Sequence, residues 1–263
     1  MKTGISTFSL DDPLFLIQLD SLLEQDIKPD FILLHNAGAL NRLRKYLRLF
    51  SKLIRQERAG SLRYLRNLKA KHISIAGTNK ANQISEKASV FLKSTRILHA
   101  GGINEANTIR LIRQQAPALI VCNSGILREE VLQCPDIVFL NVHASRLPAY
   151  RGMNNVEWAL LEEQQIYATI HRIAREIDEG DILFQEKLEL GKLSSIAEYR
   201  NAAFAKSHAL LGKAIKEYLH GLINFIAQSD KGKPLFQYYS MHPLLKECLE
   251  RKLKTARTNI RNE

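Results

Sequence analysis

Short apolar runs alternate with amphipathic stretches along the first half of the chain. Ile5–Phe8, Asp30–Leu34, His72–Ala76, Arg96–His99, Ala118–Cys122 and Asp136–Leu140 are each too short for a helix and too continuously apolar for a half-exposed strand. Such runs read as strands buried on both faces, as in a parallel sheet. The stretches between them carry helix signals. Asp11 or Asp12 caps a helix with Pro13 in its first turn. Leu43, Leu47, Phe50 and Ile54 form one helical stripe, and Gly60-Ser61 breaks it before "LRYLRNLKA". Helices are also predicted over Gln83–Leu92, from a cap at Asn104 to about Gln115, and over Arg128–Leu132.

Strands alternating with helices predict an α/β fold with a doubly wound, mostly parallel sheet. Beyond Leu140 the rhythm changes. A helix over Asn155–Gln164 is followed by two β-rich runs, "YATIHRIA" and "DILFQEKLEL", which add antiparallel pieces. Ser195-x-x-Glu198 is a capping box opening a long helix to about Ile226. From Lys231 the chain is punctuated by Gly and Pro and closes on a charged helix. The expected organisation is one domain over residues 1–228, with a basic helical insertion at about 38–71, and a small C-terminal extension over 229–263.

Charge singles out that insertion. The net charge is +11, and between Arg42 and Lys71 eleven Lys and Arg face only Glu57. The plain reading is a helical hairpin that packs its Leu/Phe stripe and solvates its basic face. The functional one is an anion platform for nucleotide phosphates, tRNA or acidic lipid. Hydrophobic residues make up 45% of the chain, enough for a sizeable core. No apolar run approaches the roughly 20 residues of a membrane span, and the start has no signal-peptide pattern. Cys122, Cys134 and Cys248 match no zinc pattern and read as free thiols in a cytoplasmic protein.

The candidate chemistry starts at "NVHASRLPAYRG", residues 141–152. Positions two apart on a strand share a face, so Asn141 and His143 project together where the strand ends. That edge is where open α/β sheets bind ligands. A second stretch, "TIHRIAREIDEGDIL" over 169–183, runs from a strand carrying His171 into a loop with Asp178 and Gly180. If the loop folds back, Asn141, His143 and Asp178 converge. His171 reads as a core or supporting histidine, His208 and His220 as packing or surface residues, and Glu157 as part of a solvated face. No G-x-G-x-x-G follows a strand, so no dinucleotide site is indicated, and no metal-ligand spacing is seen.

These two blocks closely resemble the formyltransferases that use 10-formyltetrahydrofolate, a family that includes glycinamide ribonucleotide, methionyl-tRNA and sugar-nucleotide N-formyltransferases. The family's form is Asn-x-His-x-Ser-x-Leu-Pro-x-x-Arg-Gly, then Asp-x-Gly. It is matched by Asn141, His143, Ser145, Leu147, Pro148, Arg151, Gly152, Asp178 and Gly180. Ala144, Arg146 and Ala168 depart from residues common in the family. The resemblance covers about residues 118–190, and it implies roles. Asn141 and His143 would stabilise the oxyanion formed when an amine attacks the formyl carbonyl. Asp178 would orient His143 and accept the amine proton. Asn123, Gly125, Ile126 and Leu127, with Ala174, Ile177 and Gly180, would line the folate site. Ser145, Arg146, Tyr150, Arg151, Gly152 and Asn154 would face the acceptor. No metal is called for.

The wording of the second block is nearest to the sugar-nucleotide enzymes, so the implied acceptor is an amino sugar on a nucleotide. The basic insertion argues for an aminoacyl-tRNA instead. A catalytically silent relative that binds folate or nucleic acid is the reading from another class. A homodimer is left open.

Overall fold

The computed structural model describes residues 1–36, 85–123, 125–229 and 236–260. The basic segment and the strand expected at His72–Ala76 lie outside the described residues. Seven strands form the main sheet: β1 (Thr3–Thr7), β2 (Phe31–His35), β3 (Ile97–Ala100), β4 (Leu119–Cys122), β5 (Val138–His143), β7 (Tyr167–Arg172) and β8 (Ile182–Lys187). Their order is β3-β2-β1-β4-β5-β7-β8. The first five run parallel, and β7 and β8 add antiparallel pairs at one edge. A two-residue β6 (Arg151–Gly152) pairs separately with β9 (Gln237–Tyr238).

Alternation along the strands builds two apolar layers. Ile32, Leu119, Val121, Leu140 and Val142 face one side, under α1 (Pro13–Glu24) and α7 (Leu211–Leu219). Phe31, Leu33, Ile120, Cys122 and Phe139 face the other, under α3 (Ala106–Gln115) and the short α4 (Glu129–Leu132). The period of two therefore leaves Asn141 and His143 on the same face as Phe139, just past the end of its apolar cluster. The remaining helices are α2 (Glu86–Ser94), α5 (Asn155–Leu161), α6 (Ile196–Ala209) and α8 (Pro243–Ile260). Among the described residues, no helix is long and apolar enough to cross a membrane.

Helix ends follow local chemistry. Asp12 accepts from the N–H groups of Leu14 and Phe15, with Pro13 opening α1; such a cap is typically worth about 1 kcal/mol. Ser195 accepts from Glu198 N–H at the start of α6.

Four expectations are corrected. Asn104 caps no helix: its amide bridges the Ile126 carbonyl and the Arg128 N–H, while Glu105 precedes α3 without a side-chain cap. The single long helix to Ile226 is broken at Leu210 and ends at Leu219. Ser21 of α1 makes the break, since its hydroxyl donates to the Ala209 carbonyl and accepts the Gly212 N–H. Strand β5 does not stop at Leu140, because pairing with β7 carries it through His143. Glu157 is not solvated: it is 1% exposed and held by Arg200, Lys246 and Asn154, since a buried carboxylate needs partners.

Candidate active site

Strand pairing sets the first contact. Asn141 and His171 are opposite each other in the β5–β7 ladder, and the Asn141 amide donates to His171 Nε2 at 3.2 Å. His171 Nδ1 lies 2.9 Å from the Arg172 carbonyl, so it carries the ring hydrogen and leaves Nε2 as the acceptor. Burial holds the His171 pKa well below the ordinary value; His143 adds to the effect and Asp178 opposes it. A neutral His171 is the state that can receive the Asn141 amide.

His143, 5% exposed, has Nε2 at 2.7 Å from the Tyr150 carbonyl, which assigns that nitrogen as the donor. Its Nδ1 faces Asp178 Oδ2 at 3.5 Å, and the Asn155 amide nitrogen lies against the ring edge, 3.0 Å from Nε2 and 3.3 Å from Nδ1; with Nε2 donating to Tyr150, only Nδ1 can accept from it. Asp178 stands in the left-handed region at φ 57°, in a loop that brings it back against β5 and β7. Its Oδ2 accepts the Gly152 N–H at 2.8 Å, and its Oδ1 is 3.7 Å from His171 Nε2. Asn141, His143, His171 and Asp178 thus share one cluster.

The Asp178 loop is fastened from outside. Gln228 donates to the carbonyls of Asp178 and Gly180 at 2.8 and 2.7 Å. Its oxygen accepts from Arg151, which also pairs with Glu179 at 3.0 Å. Gly180 is needed for close approach, because a Cβ there would overlap the Arg172 carbonyl oxygen.

The fold also assembles something the sequence spacing did not flag. His143, His171 and Asp178 each offer a metal-ligand atom, all within 4.8 Å of one another. These are the residues that could hold a cation. Each imidazole acceptor already has an amide nitrogen beside it, from Asn155 and Asn141 respectively. The arrangement therefore suits proton handling as it stands. Of the two donors expected to face an oxyanion, His143 turns both nitrogens to protein groups. Asn141 keeps a second amide hydrogen with no partner among the described residues.

The expected folate-site residues fall on two segments, one after β4 and one in the Asp178 loop. Asn123 follows β4, with its N–H on the Ser6 carbonyl and a buried Oδ1 that has no partner among the described residues. Gly125 sits at φ 97°, Ile126 is exposed, and Leu127 is buried in the cluster against which Ile173 packs. Ala174 is half-buried, Ile177 exposed and Gly180 buried.

The expected acceptor-facing residues divide. Gly152 touches Asp178 directly, and Arg146 is exposed, with its guanidinium 5.4 Å above the Tyr167 ring. The other four are turned to internal contacts. Ser145 is fully buried; its hydroxyl has no partner among the described residues, while its backbone carbonyl accepts from Thr169. Tyr150 is buried with its hydroxyl on Glu162, and Arg151 is buried on Gln228 and Glu179. Asn154 bonds Met241 N–H and Glu157, because both ends of its amide meet protein partners first. Gln228 is the residue that no local signal announces. Asn155, which reads from the sequence as a substrate-side residue beside Asn154, lies against the His143 ring, and His171, read as a core or supporting histidine, bonds the Asn141 amide.

Comparison with known proteins gives a consistent picture. The formyl transferase family model matches residues 48–215. A methionyl-tRNA formyltransferase of Clostridium acetobutylicum is 29% identical over 141 residues, covering 52% of this chain and 44% of its own. This chain thus spans less than half the length of that relative. A sugar N-formyltransferase from Shewanella sp. FDAARGOS_354 superposes with a TM-score of 0.55 at 14% identity, covering 96% of this chain and 87% of its own. WlaRD, a sugar 3N-formyl transferase solved in the presence of dTDP and 5-N-formyl-THF, gives a TM-score of 0.50 at 12% identity, covering 92% of this chain and 71% of its own. At such identities the structural likeness concerns the fold.

Proposed function

This chain belongs to the formyl transferase family, and from that membership we propose that it moves a formyl group from 10-formyltetrahydrofolate to a primary amine. The first-choice acceptor is the amino group of a nucleotide-linked amino sugar. The catalytic unit is residues 1–228, with 229–263 as an extension. The observation that carries the reading is the His143–Asp178 pair, 3.5 Å apart, beside the partly free amide of Asn141.

The chemistry runs as follows. The amine attacks the formyl carbonyl, and negative charge develops on its oxygen. The second N–H of Asn141 donates to that oxygen; one such preorganised donor is worth about 3–4 kcal/mol of barrier. The attacking nitrogen becomes acidic as its bond to carbon forms. Its proton passes to the His143–Asp178 pair, directly or through one water. The pair then returns the proton to the folate nitrogen as its bond to the formyl carbon breaks, and tetrahydrofolate leaves as the neutral amine. Ile126 and Ile177, exposed on the two expected folate segments, offer apolar surface to a pterin. The nucleotide-sugar reading is supported by WlaRD and the Shewanella protein as fold neighbours.

A second acceptor, an aminoacyl-tRNA, is favoured by the basic segment Arg42–Lys71 and by the Clostridium relative. A turnover screen separates the two. Purified protein is mixed with 10-formyltetrahydrofolate and a panel of amines, and tetrahydrofolate release is followed. The expected result is fastest release with a nucleotide-linked amino sugar, lost by two or more orders of magnitude in Asn141→Ala, His143→Ala and Asp178→Ala. Release with Met-tRNA alone would move the assignment to the second acceptor, and release with none would reject formyl transfer.

A further inference from the structure

We propose that the C-terminal strap, residues 236–241, is a positioning element of the catalytic centre. Strand β9 sets the peptide of Gly152 and, through it, the carboxylate of Asp178. The kinetic part of this inference rests on the formyl-transfer reading; the geometric part does not.

The segment Tyr150–Asn154 holds both members of the proton-accepting pair on its inner side. The Tyr150 carbonyl accepts from His143 Nε2 at 2.7 Å, and the Gly152 N–H donates to Asp178 Oδ2 at 2.8 Å. Its outer side is held by the strap. Arg151 and Gly152 register with Gln237 and Tyr238 in the parallel β6–β9 pair. Met153 N–H donates to the Tyr238 carbonyl at 2.8 Å, and Met241 N–H donates to Asn154 Oδ1 at 3.0 Å. Gly152 sits at φ 96°, and the Tyr238 carbonyl oxygen occupies the space a Cβ would fill. No other residue allows the strap so near.

A two-residue strand pair cannot hold itself in water, so the strap is anchored by side chains. The Tyr238 ring packs on the rings of both Tyr150 and Trp158, with centroids at 5.4 and 5.2 Å. Trp158 Nε1 donates to the Tyr239 carbonyl at 3.0 Å. The hydroxyls of Tyr150 and Tyr238 both donate to the Glu162 carboxylate, at 2.8 and 2.9 Å. The residue that supplies the carbonyl under His143 and the residue that backs Gly152 thus share one acceptor. Loss of an anchor releases the Gly152 peptide, and an ångström of misplacement at a reacting group can cost about a hundredfold in rate.

The test uses Tyr238→Ala in the full chain, with Glu162→Ala as a second variant whose substituted side chain is exposed. Two readouts are taken: nuclear magnetic resonance of the Gly152 amide and the His143 ring nitrogens, and steady-state kinetics. In both variants the Gly152 amide proton is expected to move upfield and exchange faster, with the His143 nitrogens shifting alongside. Turnover should fall by about tenfold or more, while KM for the formylated folate stays within about twofold. Tyr238→Phe keeps the ring and should retain most of the turnover. The proposal is overturned if the Gly152 and His143 resonances of the folded variants match the wild type. It is equally overturned if folate KM worsens as much as turnover. Should the wild type formylate no amine, the functional reading fails and the resonances alone decide this one.

Discussion

The amide of Asn141 and the imidazole of His171 form a cross-strand pair, 3.2 Å apart in antiparallel β5 and β7. A side-chain amide at a strand end is otherwise free to turn about χ2. Here one N–H is taken by a neutral ring whose own hydrogen is fixed on the Arg172 carbonyl. The second N–H therefore has a defined direction.

His171→Ala should lower kcat by about tenfold to a hundredfold while leaving KM for the formylated folate nearly unchanged. Tetrahydrofolate release under saturating folate measures it. A loss expressed entirely in KM would mean that His171 serves binding rather than the orientation of Asn141.

Gly180→Ala places a methyl group on the Arg172 carbonyl oxygen, so the 173–180 loop must shift. Asp178 rides on that loop, and turnover should drop by about two orders of magnitude with little change in global stability. Thermal melting and turnover, measured on the same preparation, check both halves.

Arg200→Ala removes the closest cation from Glu157, whose oxygens lie 2.9 Å from the guanidinium. Lys246, at 3.4 Å, remains as partial compensation. Removing one partner of a buried pair costs about 3–5 kcal/mol, so a loss of about 2–3 kcal/mol is expected in urea unfolding. Arg200→Ala combined with Glu157→Gln should recover part of it, because the uncompensated charge is gone.

Stability should fall on the acid side. Burial brings the His208 pKa from 6.5 down to about 4, and it depresses His171 in the same direction. Between those values the unfolded chain binds a proton that the folded chain refuses. The stabilisation is whole above pH 6.5 and is eroded as pH falls toward 4. Urea melts at pH 7 and 5 should differ by on the order of 2 kcal/mol for this histidine. His208→Gln should remove its share of that difference and leave the share of His171. A wild-type stability that is level across this range would contradict the burial argument.

Much of this architecture was legible because its causes are local. Leu119–Cys122 and Phe139–Leu140 are apolar on consecutive positions because both faces of the sheet are covered. The period of two places Asn141 with His143, and the Asp178 loop follows its strand directly. What escaped depends on partners distant in sequence. Ser21 breaks a helix almost two hundred residues away in the chain, at Gly212. Glu157 becomes buried only when α6 and α8 bring Arg200 and Lys246 to it. Gln228 carries no periodicity or motif that would tie it to Asp178. Asn104 had the composition of a cap, and the neighbouring backbone at Ile126 and Arg128 competed successfully for its amide.

Strand β5 carries Phe139 in the interior and Asn141 and His143 at the cluster, on one face and two positions apart. A change that tilted the strand to suit a new acceptor would disturb the packing beneath it at once. Diversification of this scaffold must therefore happen at its periphery, in connections that can vary in length and composition while the reactive groups stay where the interior put them.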